Sequence, residues 1–329
     1  MLQDLILLAF GLVLIIKGGD MFVAAAVRTA EFLRMPRVVI GGTLVSLTTT
    51  TPELVVSVMA GLKGESGLAV GNAVGSVICN IGLIVGVTAT LKQVDVHPKA
   101  LRFPLLAMFG FGAAVFLMTL DLSLSRVQGA MLLAGGLGYF VWDFARHWRD
   151  RKPDDVAEAV AIDAELSESR WAWFETKAGT AVQFLVGAAI VVAGSKLLVD
   201  GAVGVAARLG VPSIVVGLTV VAIGTSLPEL VTAITSSRQS VSDLAVGNVL
   251  GANIANLTLI VGTAAVLQDV RMDRFTQLFN FPVMLAFMGL LTWMLLSDHR
   301  VTRREGVVLL VAYAHFLGAL TVMTLTGRQ

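Results

Sequence analysis

The chain has 329 residues, of which 56% are hydrophobic and 14% charged, well below the ~25% charge typical of soluble domains. That balance excludes an ordinary soluble globular protein, and a net charge of +1 gives no electrostatic footprint for nucleic acid. A single cysteine, Cys79, excludes an intrachain disulfide.

The apolar residues gather in blocks of about 18 to 25, the length that spans a hydrocarbon core. Ten spans follow in chain order: 2–20, 38–62, 67–91, 101–120, 124–145, 178–200, 212–236, 242–267, 278–297 and 305–326. The first and sixth can run on as long tilted helices toward Phe32 and Arg208. The opening MLQDLILLAF carries Asp4 and no basic n-region, so it reads as a first span and not as a cleaved signal. Most connections are short. The exception, 147–177, is charged and contains proline. It divides the chain into a first five-helix unit (1–146), a linker (147–177) and a second five-helix unit (178–329). The acidic stretch Asp154 to Glu168 within it reads as solvated linker, since it lacks an EF-hand pattern.

The two units repeat each other. LAVGNAVGSVICNIGLIVG (68–86) and LAVGNVLGANIANLTLIVG (244–262) share twelve of 19 positions at an offset of 176. The same offset brings Pro52-Glu53-Leu54 onto Pro228-Glu229-Leu230, Gly41 onto Gly217 and Pro36 onto Pro212. Internal repetition fixes the architecture before any local reading does. Five spans per repeat is an odd number, so the second copy enters the membrane from the opposite side, the inverted plan of many secondary transporters. The expected fold is therefore an all-α polytopic membrane protein of ten transmembrane helices in two inverted five-helix repeats, with helices 2 and 7 broken. Loops 1–2, 3–4, 5–6, 7–8 and 9–10 carry most of the loop Lys and Arg, and still do without the long linker. By the positive-inside rule those loops are cytoplasmic and both termini face out.

The chemistry concentrates at the breaks. In span 2 the run TTTTPEL (48–54) places four hydroxyls, a proline and a carboxylate inside an apolar segment; IGTSLPEL (223–230) is its counterpart in span 7. Proline in a helix removes an N–H and disturbs the carbonyl four residues earlier, here those of Thr48 and Gly224. Free carbonyls at membrane depth are tolerated only where protein or a polar cavity satisfies them. Both segments thus read as broken helices with inward-facing oxygens, flanked by Thr49, Thr50, Thr225 and Ser226 and followed by Glu53 and Glu229. Carboxylates, carbonyls and hydroxyls together form a hard oxygen cage suited to Ca²⁺ or Na⁺. A buried carboxylate at the bilayer centre costs ~2.5 kcal/mol or more. Two at repeat-equivalent positions argue for function over a pair of kinks with snorkelling acids.

Spans 3 and 8 add a polar stripe. Asn72, Ser76 and Asn80 share one helix face by their spacing of four, with Asn248, Ala252 and Asn256 as counterparts. Gly71, Gly75, Gly247 and Gly251 favour close helix packing, which is compatible with ion ligation by Asn80 and Asn256. Asn72 and Asn248 lie nearer the helix ends. Lys17 with Asp20 and Lys196 with Asp200 are the expected intrahelical ion pairs, ahead of Asp20 with Lys196 across the repeats. His97, His147, His299 and His315 all lie outside the motif spans, and Cys79 reads as packing. No nucleophile–base set accompanies the acids, so an intramembrane enzyme is disfavoured.

These motifs resemble the two α-repeats of the Ca²⁺:cation antiporter superfamily, the sodium/calcium exchangers, with their G-T-S-x-P-E and G-N-x-x-G-S-N-I-x-(N/D) elements. IGTSLPEL matches the first element, and GNVLGANIAN (247–256) and GNAVGSVICN (71–80) the second. The α-repeats cover about 40–87 and 216–263, and the layout is most similar to compact prokaryotic calcium/sodium antiporters. The resemblance implies exchange of Ca²⁺ for Na⁺ by alternating access at a mid-membrane site between spans 2, 3, 7 and 8. It implies Glu53 and Glu229 as central carboxylates, and Thr49 and Thr225 as donors of backbone and hydroxyl oxygens. Thr50, Ser226 and Ser76 complete sodium sites, Ser46 and Ala222 contribute carbonyls, and Asn80 and Asn256 close the ring. No cofactor is implied. The transported cations and the lipid bilayer are the partners, and a prokaryotic inner membrane is the location. Three departures bear on the counter-ion. Thr48 and Thr51 replace the Gly224 and Leu227 of the second repeat, Ala252 lacks the hydroxyl of Ser76, and Asn256 stands where several exchangers have Asp. The alternative is a Ca²⁺/H⁺ exchanger or an exchanger of another divalent cation.

Overall fold

In a hydrocarbon core every backbone polar group needs an internal partner, and this chain meets that demand almost entirely with helices. A computed structural model describes residues 2–62, 66–95, 98–149, 176–209, 222–297 and 299–325. Pro212, Gly217, His97 and most of the 147–177 linker, including Asp154 to Glu168, lie outside the described residues.

Helix α1 (Leu2–Leu33) is followed by α2 (Arg37–Thr49) and α3 (Thr51–Leu62). Next comes α4, built from Ser66–Cys79, a π-helical stretch Asn80–Val85, and Gly86–Leu91. Then come α5 (Pro98–Met118) and α6 (Arg126–Arg149). The second half gives α7 (Lys177–Arg208), α8 (Ala222–Thr225) and α9 (Leu227–Arg238). Helix α10 joins Ser242–Ala255, a π-helical stretch Asn256–Ile260, and Val261–Leu267. Helix α11 starts with a π-helical turn at Thr276–Asn280 and continues as Phe281–Ser297, and α12 is Arg303–Leu325.

Seven helices among the described residues are long and apolar enough to cross a bilayer, against the ten spans read from the sequence. The other three differ for identifiable reasons. Span 2 is interrupted at Thr50 into α2 and α3. Span 5 forms α6, whose 24 residues are long enough but include Asp143 and several basic side chains. Span 7 is described only from Ala222 onward. The extensions toward Phe32 and Arg208 are present as the full lengths of α1 and α7.

Helices α1 and α7 pack antiparallel over most of their length. A Cβ on Gly11 would lie 2.7 Å from the Leu198 nitrogen, one on Gly187 2.8 Å from the Phe22 nitrogen, and one on Gly201 2.7 Å from the Asp4 carbonyl. Small residues let the two backbones approach this closely. Arg208 Nε meets Asp4 Oδ2 at 2.6 Å at one end of the pair, and Arg28 Nη1 donates to Gln183 Oε1 at 3.1 Å toward the other. The interior of the bundle belongs to α4 and α10, whose faces are mostly buried, while α1, α5, α7 and α12 present much of their apolar surface outward.

Two short antiparallel ribbons stitch the halves together. Strand β1 (Val94–Asp95) pairs with β4 (Arg300–Val301), and β2 (Ser123–Leu124) with β3 (Val270–Arg271). The 176-residue offset carries β1 onto β3 and, within one residue, β2 onto β4. Helix α5 runs from the β1 ribbon to the β2 ribbon, so the two ribbons cap opposite ends of the bundle. Lys92 Nζ donates to Ser240 Oγ at 2.7 Å, tying the α9–α10 turn to the β1–β4 end.

Candidate ion-binding site

The breaks in the two proline-containing segments are local backbone events. Thr50 sits between α2 and α3 at φ −80°, ψ −1°, and Ser226 between α8 and α9 at φ −92°, ψ 12°. Both lie in the sparsely populated bridge region, and they are repeat-equivalent. Pro52 and Pro228 each fall in the first turn of the following helix, where a missing N–H costs nothing. The consequence is electrostatic. Glu53 and Glu229 are held in the first turns of α3 and α9, near the positive ends of the helix dipoles, while α2 and α8 end on carbonyls that carry partial negative charge.

The two breaks face each other and exchange hydrogen bonds. Thr50 Oγ1 donates to Glu229 Oε1 at 3.2 Å, and Ser226 Oγ donates to Glu53 Oε1 at 3.4 Å. Each hydroxyl lies three residues before its own repeat's glutamate and reaches the glutamate of the other repeat, so the bonds are related by the 176-residue offset. Both carboxylates are 1% exposed. Each keeps its Oε2 buried without a hydrogen-bond partner.

Helices α4 and α10 add amide oxygens where their π-helical stretches begin. Asn80 Nδ2 donates to Asn253 Oδ1 at 3.0 Å, and Asn256 Nδ2 to the Ala252 carbonyl at 2.9 Å. The Oδ1 atoms of Asn80 and Asn256 remain buried and without a donor. Native proteins rarely leave buried oxygens unsatisfied. Glu53 Oε2, Glu229 Oε2, Asn80 Oδ1 and Asn256 Oδ1 are four buried acceptors without donors, oxygens of the kind that a hard cation takes. Among the described residues no three His, Cys, Asp or Glu side chains gather as a metal cluster, here or elsewhere, so any cation at the two glutamates would draw its remaining ligands from amides, hydroxyls and carbonyls.

The remaining expected residues fall as follows. Thr49 is buried and donates to Asn248 Oδ1 at 3.2 Å and to the Ser46 carbonyl at 3.3 Å. The Ser46 carbonyl also accepts the Thr50 N–H at 2.9 Å. Ser76 is buried beside Asn80 on α4, Thr225 is half-buried at the end of α8, and Ala222 opens α8. Thr48 and Thr51 point away from the site and bond the carbonyls of Leu44 and Leu47, one turn back. Their hydroxyls are thus satisfied locally, which accounts for threonine where the second repeat has Gly224 and Leu227.

Two residues stand closer to the site than their sequence positions suggested. Asn248 is fully buried and receives the Thr49 hydroxyl, although it lies near the start of α10. Asn253 is fully buried and anchors Asn80. Its signal was the Asn in GNVLGANIAN, masked by the valine, Val77, at the equivalent position of the first repeat. The expected ion pairs are not found among the described residues: neither Lys17–Asp20, Lys196–Asp200 nor Asp20–Lys196 forms. Lys17 and Lys196 are exposed on the outer faces of α1 and α7, and the pair that joins these helices is Asp4–Arg208 instead.

Comparison with known proteins places this arrangement. A family model described as sodium/calcium exchanger protein matches residues 4–143 and 179–322. The putative antiporter CaxA of Alkalimonas amylolytica is 36% identical over 318 residues, covering 95% of this chain and 97% of that protein. The sodium/calcium exchanger MaX1 of Methanosarcina acetivorans is 31% identical over 364 residues, covering 95% and 97%. The solved structure of the sodium-calcium exchanger NCX_Mj, soaked with zero Na⁺ and Ca²⁺, superposes with a TM-score of 0.81 at 26% identity, covering 97% of this chain and 99% of that one. With both halves matched and the fold shared over nearly its whole length, the chain is an integral membrane cation antiporter, not an enzyme, and belongs to the sodium/calcium exchanger family.

Proposed function

We propose that this antiporter exchanges Ca²⁺ for Na⁺ by alternating access at a site centred on Glu53 and Glu229. The observation that carries the reading is the reciprocal pair of hydroxyl–carboxylate bonds, with both Oε2 atoms left free of donors. Two ionised glutamates give a charge of about −2, which balances one Ca²⁺ or two Na⁺. Ca²⁺ takes 6–8 oxygens. The carboxylates, the Asn80 and Asn256 amides, the Thr49, Thr50, Thr225, Ser226 and Ser76 hydroxyls and the carbonyls of Ser46 and Ala222 supply enough oxygens for either ion in turn. The chain crosses the membrane ten times in this reading, as inverted units 1–146 and 178–329 joined by a cytoplasmic linker, 147–177, with both termini outside a prokaryotic inner membrane. The pairing of β1 with β4 and of β2 with β3 at opposite ends of the bundle supports the inversion.

A second reading, exchange of Ca²⁺ for H⁺, is favoured by one feature. Ala252 and Asn256 give the second repeat one hydroxyl fewer and no third carboxylate. Uptake of radiolabelled Ca²⁺ into liposomes holding the purified protein separates the two. An outward Na⁺ gradient at equal pH drives uptake if Na⁺ is the counter-ion. Uptake driven only by an outward H⁺ gradient overturns the sodium reading and leaves the site in place.

The reciprocal bonds make a further prediction. Thr50→Val and Ser226→Ala each remove one donor to a charged group, a bond worth about 1.5–3 kcal/mol. Each is expected to raise the Ca²⁺ concentration at half-maximal uptake by roughly 10- to 100-fold, with little change in protein yield. Unchanged half-saturation in both variants would remove these hydroxyls from the site.

A further inference from the structure

Beyond Glu229, helix α9 carries hydroxyls that the binding site does not use. At 100° per residue the Glu229 face of α9 also holds Thr232, Ser236 and Ser237, which are 0%, 0% and 1% exposed. Thr232 Oγ1 donates to the Pro228 carbonyl at 2.7 Å and keeps its lone pairs. The Oγ atoms of Ser236 and Ser237 are buried with no hydrogen-bond partner, as is the Oε1 of Gln239 one turn further on. A buried hydroxyl without a partner pays the desolvation cost and returns nothing in this conformation. These serines are therefore not serving as interhelical glue.

The first repeat has no such row. At the positions equivalent to Thr232, Ser236 and Ser237 it carries Val56, Ala60 and Gly61. Its one hydroxyl on that face, Ser57, already accepts from Asn72 at 3.4 Å. The asymmetry has a direction. Ser236 lies about 10 Å along the helix from Glu229, and within four residues of it Ser240 receives Lys92 at the β1–β4 end. A small apolar void of about 10 Å³, room for about one water, lies beside Ala233 of α9, between Val85 and Thr88 of α4, Val246 and Val249 of α10 and Val94 of β1. On the opposite flank of α9, Val231 and Thr235 sit against α1 at Gly19, where an added Cβ would be 2.7 Å and 2.9 Å from them.

We propose that cations move between the site and the β1–β4 end of the bundle along α9, with Thr232, Ser236 and Ser237 as successive oxygen contacts, and that the other half-path lacks this row. In this conformation the serine hydroxyls are buried without partners; opening of the passage would bring them water and cations. The proposal rests on the exchange reading above and adds to it a side and a set of residues.

The test uses the full-length protein in oriented vesicles. Cys79 is buried and is the single cysteine, so Cys79→Ser gives a cysteine-free parent whose Ca²⁺ exchange is measured first. Ser236→Cys, Ser237→Cys and, as a control facing α1, Thr235→Cys are then treated with a membrane-impermeant cationic methanethiosulfonate from each face. The proposal expects Ser236→Cys to react from the β1–β4 face alone, to lose transport on reaction, and to be protected by saturating Ca²⁺, with Thr235→Cys unreactive. Should Ser236→Cys fail to insert, Ser237→Cys gives the same reading. A transporting variant that resists the reagent from both faces, that reacts from the opposite face, or that is modified without loss of flux overturns the proposal. If the wild-type protein exchanges no cations, the exchange reading fails instead, and reaction of Ser236→Cys from the β1–β4 face alone still tests the passage.

Discussion

Glu229→Gln and Glu53→Gln are each expected to bring gradient-driven Ca²⁺ uptake to the background of protein-free liposomes while the purified proteins remain folded. The side chain keeps its shape, and glutamine still presents one acceptor to Thr50 or Ser226. What is lost is one of the two charges, at a place where the partner oxygens are neutral amides and hydroxyls. Removing one member of a buried charge interaction costs about 2–5 kcal/mol, roughly a 30- to 5,000-fold loss in affinity. Because each carboxylate is bonded by the opposite repeat, the two variants should fail equally. Glu229→Asp retains the charge but withdraws it by one methylene from Thr50, and is expected to keep measurable uptake at a higher Ca²⁺ requirement. Full uptake in either glutamine variant would show that the paired glutamates do not carry the ion.

The second large effect is structural. Helices α2 and α10 cross where Gly41, Gly42, Gly247 and Gly251 meet. A Cβ on Gly251 would collide with the Gly42 carbonyl oxygen and Ser46 Oγ and lie 2.7 Å from the Gly42 carbonyl carbon, and one on Gly247 would collide with the Val38 carbonyl oxygen. These obstacles are mostly backbone, so relief requires the helices to separate. Overpacking of this kind costs about 1–3 kcal/mol or more. Gly251→Ala should therefore lower the thermal unfolding temperature of the detergent-solubilised protein clearly, and Gly251→Val should prevent stable assembly. The strain also reaches the site, since Ser46 lies one turn before Thr49 and Thr50 and its carbonyl accepts from both. Gly251→Ala is expected to weaken Ca²⁺ binding as well as stability. Gly110→Ala is the control: that glycine is exposed on α5 with open space at its Cβ position, and alanine there should be neutral or slightly stabilising.

Much of this was legible in the sequence because repetition amplifies weak signals. A single Pro-Glu in an apolar run is an oddity. The same dipeptide at Pro52-Glu53 and Pro228-Glu229, each followed by a GN-containing span, defines two facing breaks. Proline chemistry located the breaks, and the structure puts the irregular φ, ψ values at Thr50 and Ser226, two residues ahead of the prolines. What could not be read was tertiary. Nothing in the spacing of TTTT says that Thr49 and Thr50 face inward while Thr48 and Thr51 bond their own helix; that depends on how α2 is rotated against α10. Asn248 and Asn253 enter through cross-helix contacts to Thr49 and Asn80, which a one-helix face argument does not predict. The ion pairs expected from sequence do not form, because charge spacing along one helix says nothing about its neighbour. Asp4 and Arg208 lie 204 residues apart and meet only because α1 and α7 run antiparallel.

In the proposed site one Ca²⁺ is held jointly by the two repeats and shares its ligands with Na⁺. Equilibrium titration of the purified protein with Ca²⁺, in the presence and absence of Na⁺, tests it most directly. The expected result is one Ca²⁺ per chain, competitive displacement by Na⁺, and no binding in the Glu53→Gln/Glu229→Gln double variant. Ca²⁺ binding that survives in the double variant with unchanged affinity would contradict it.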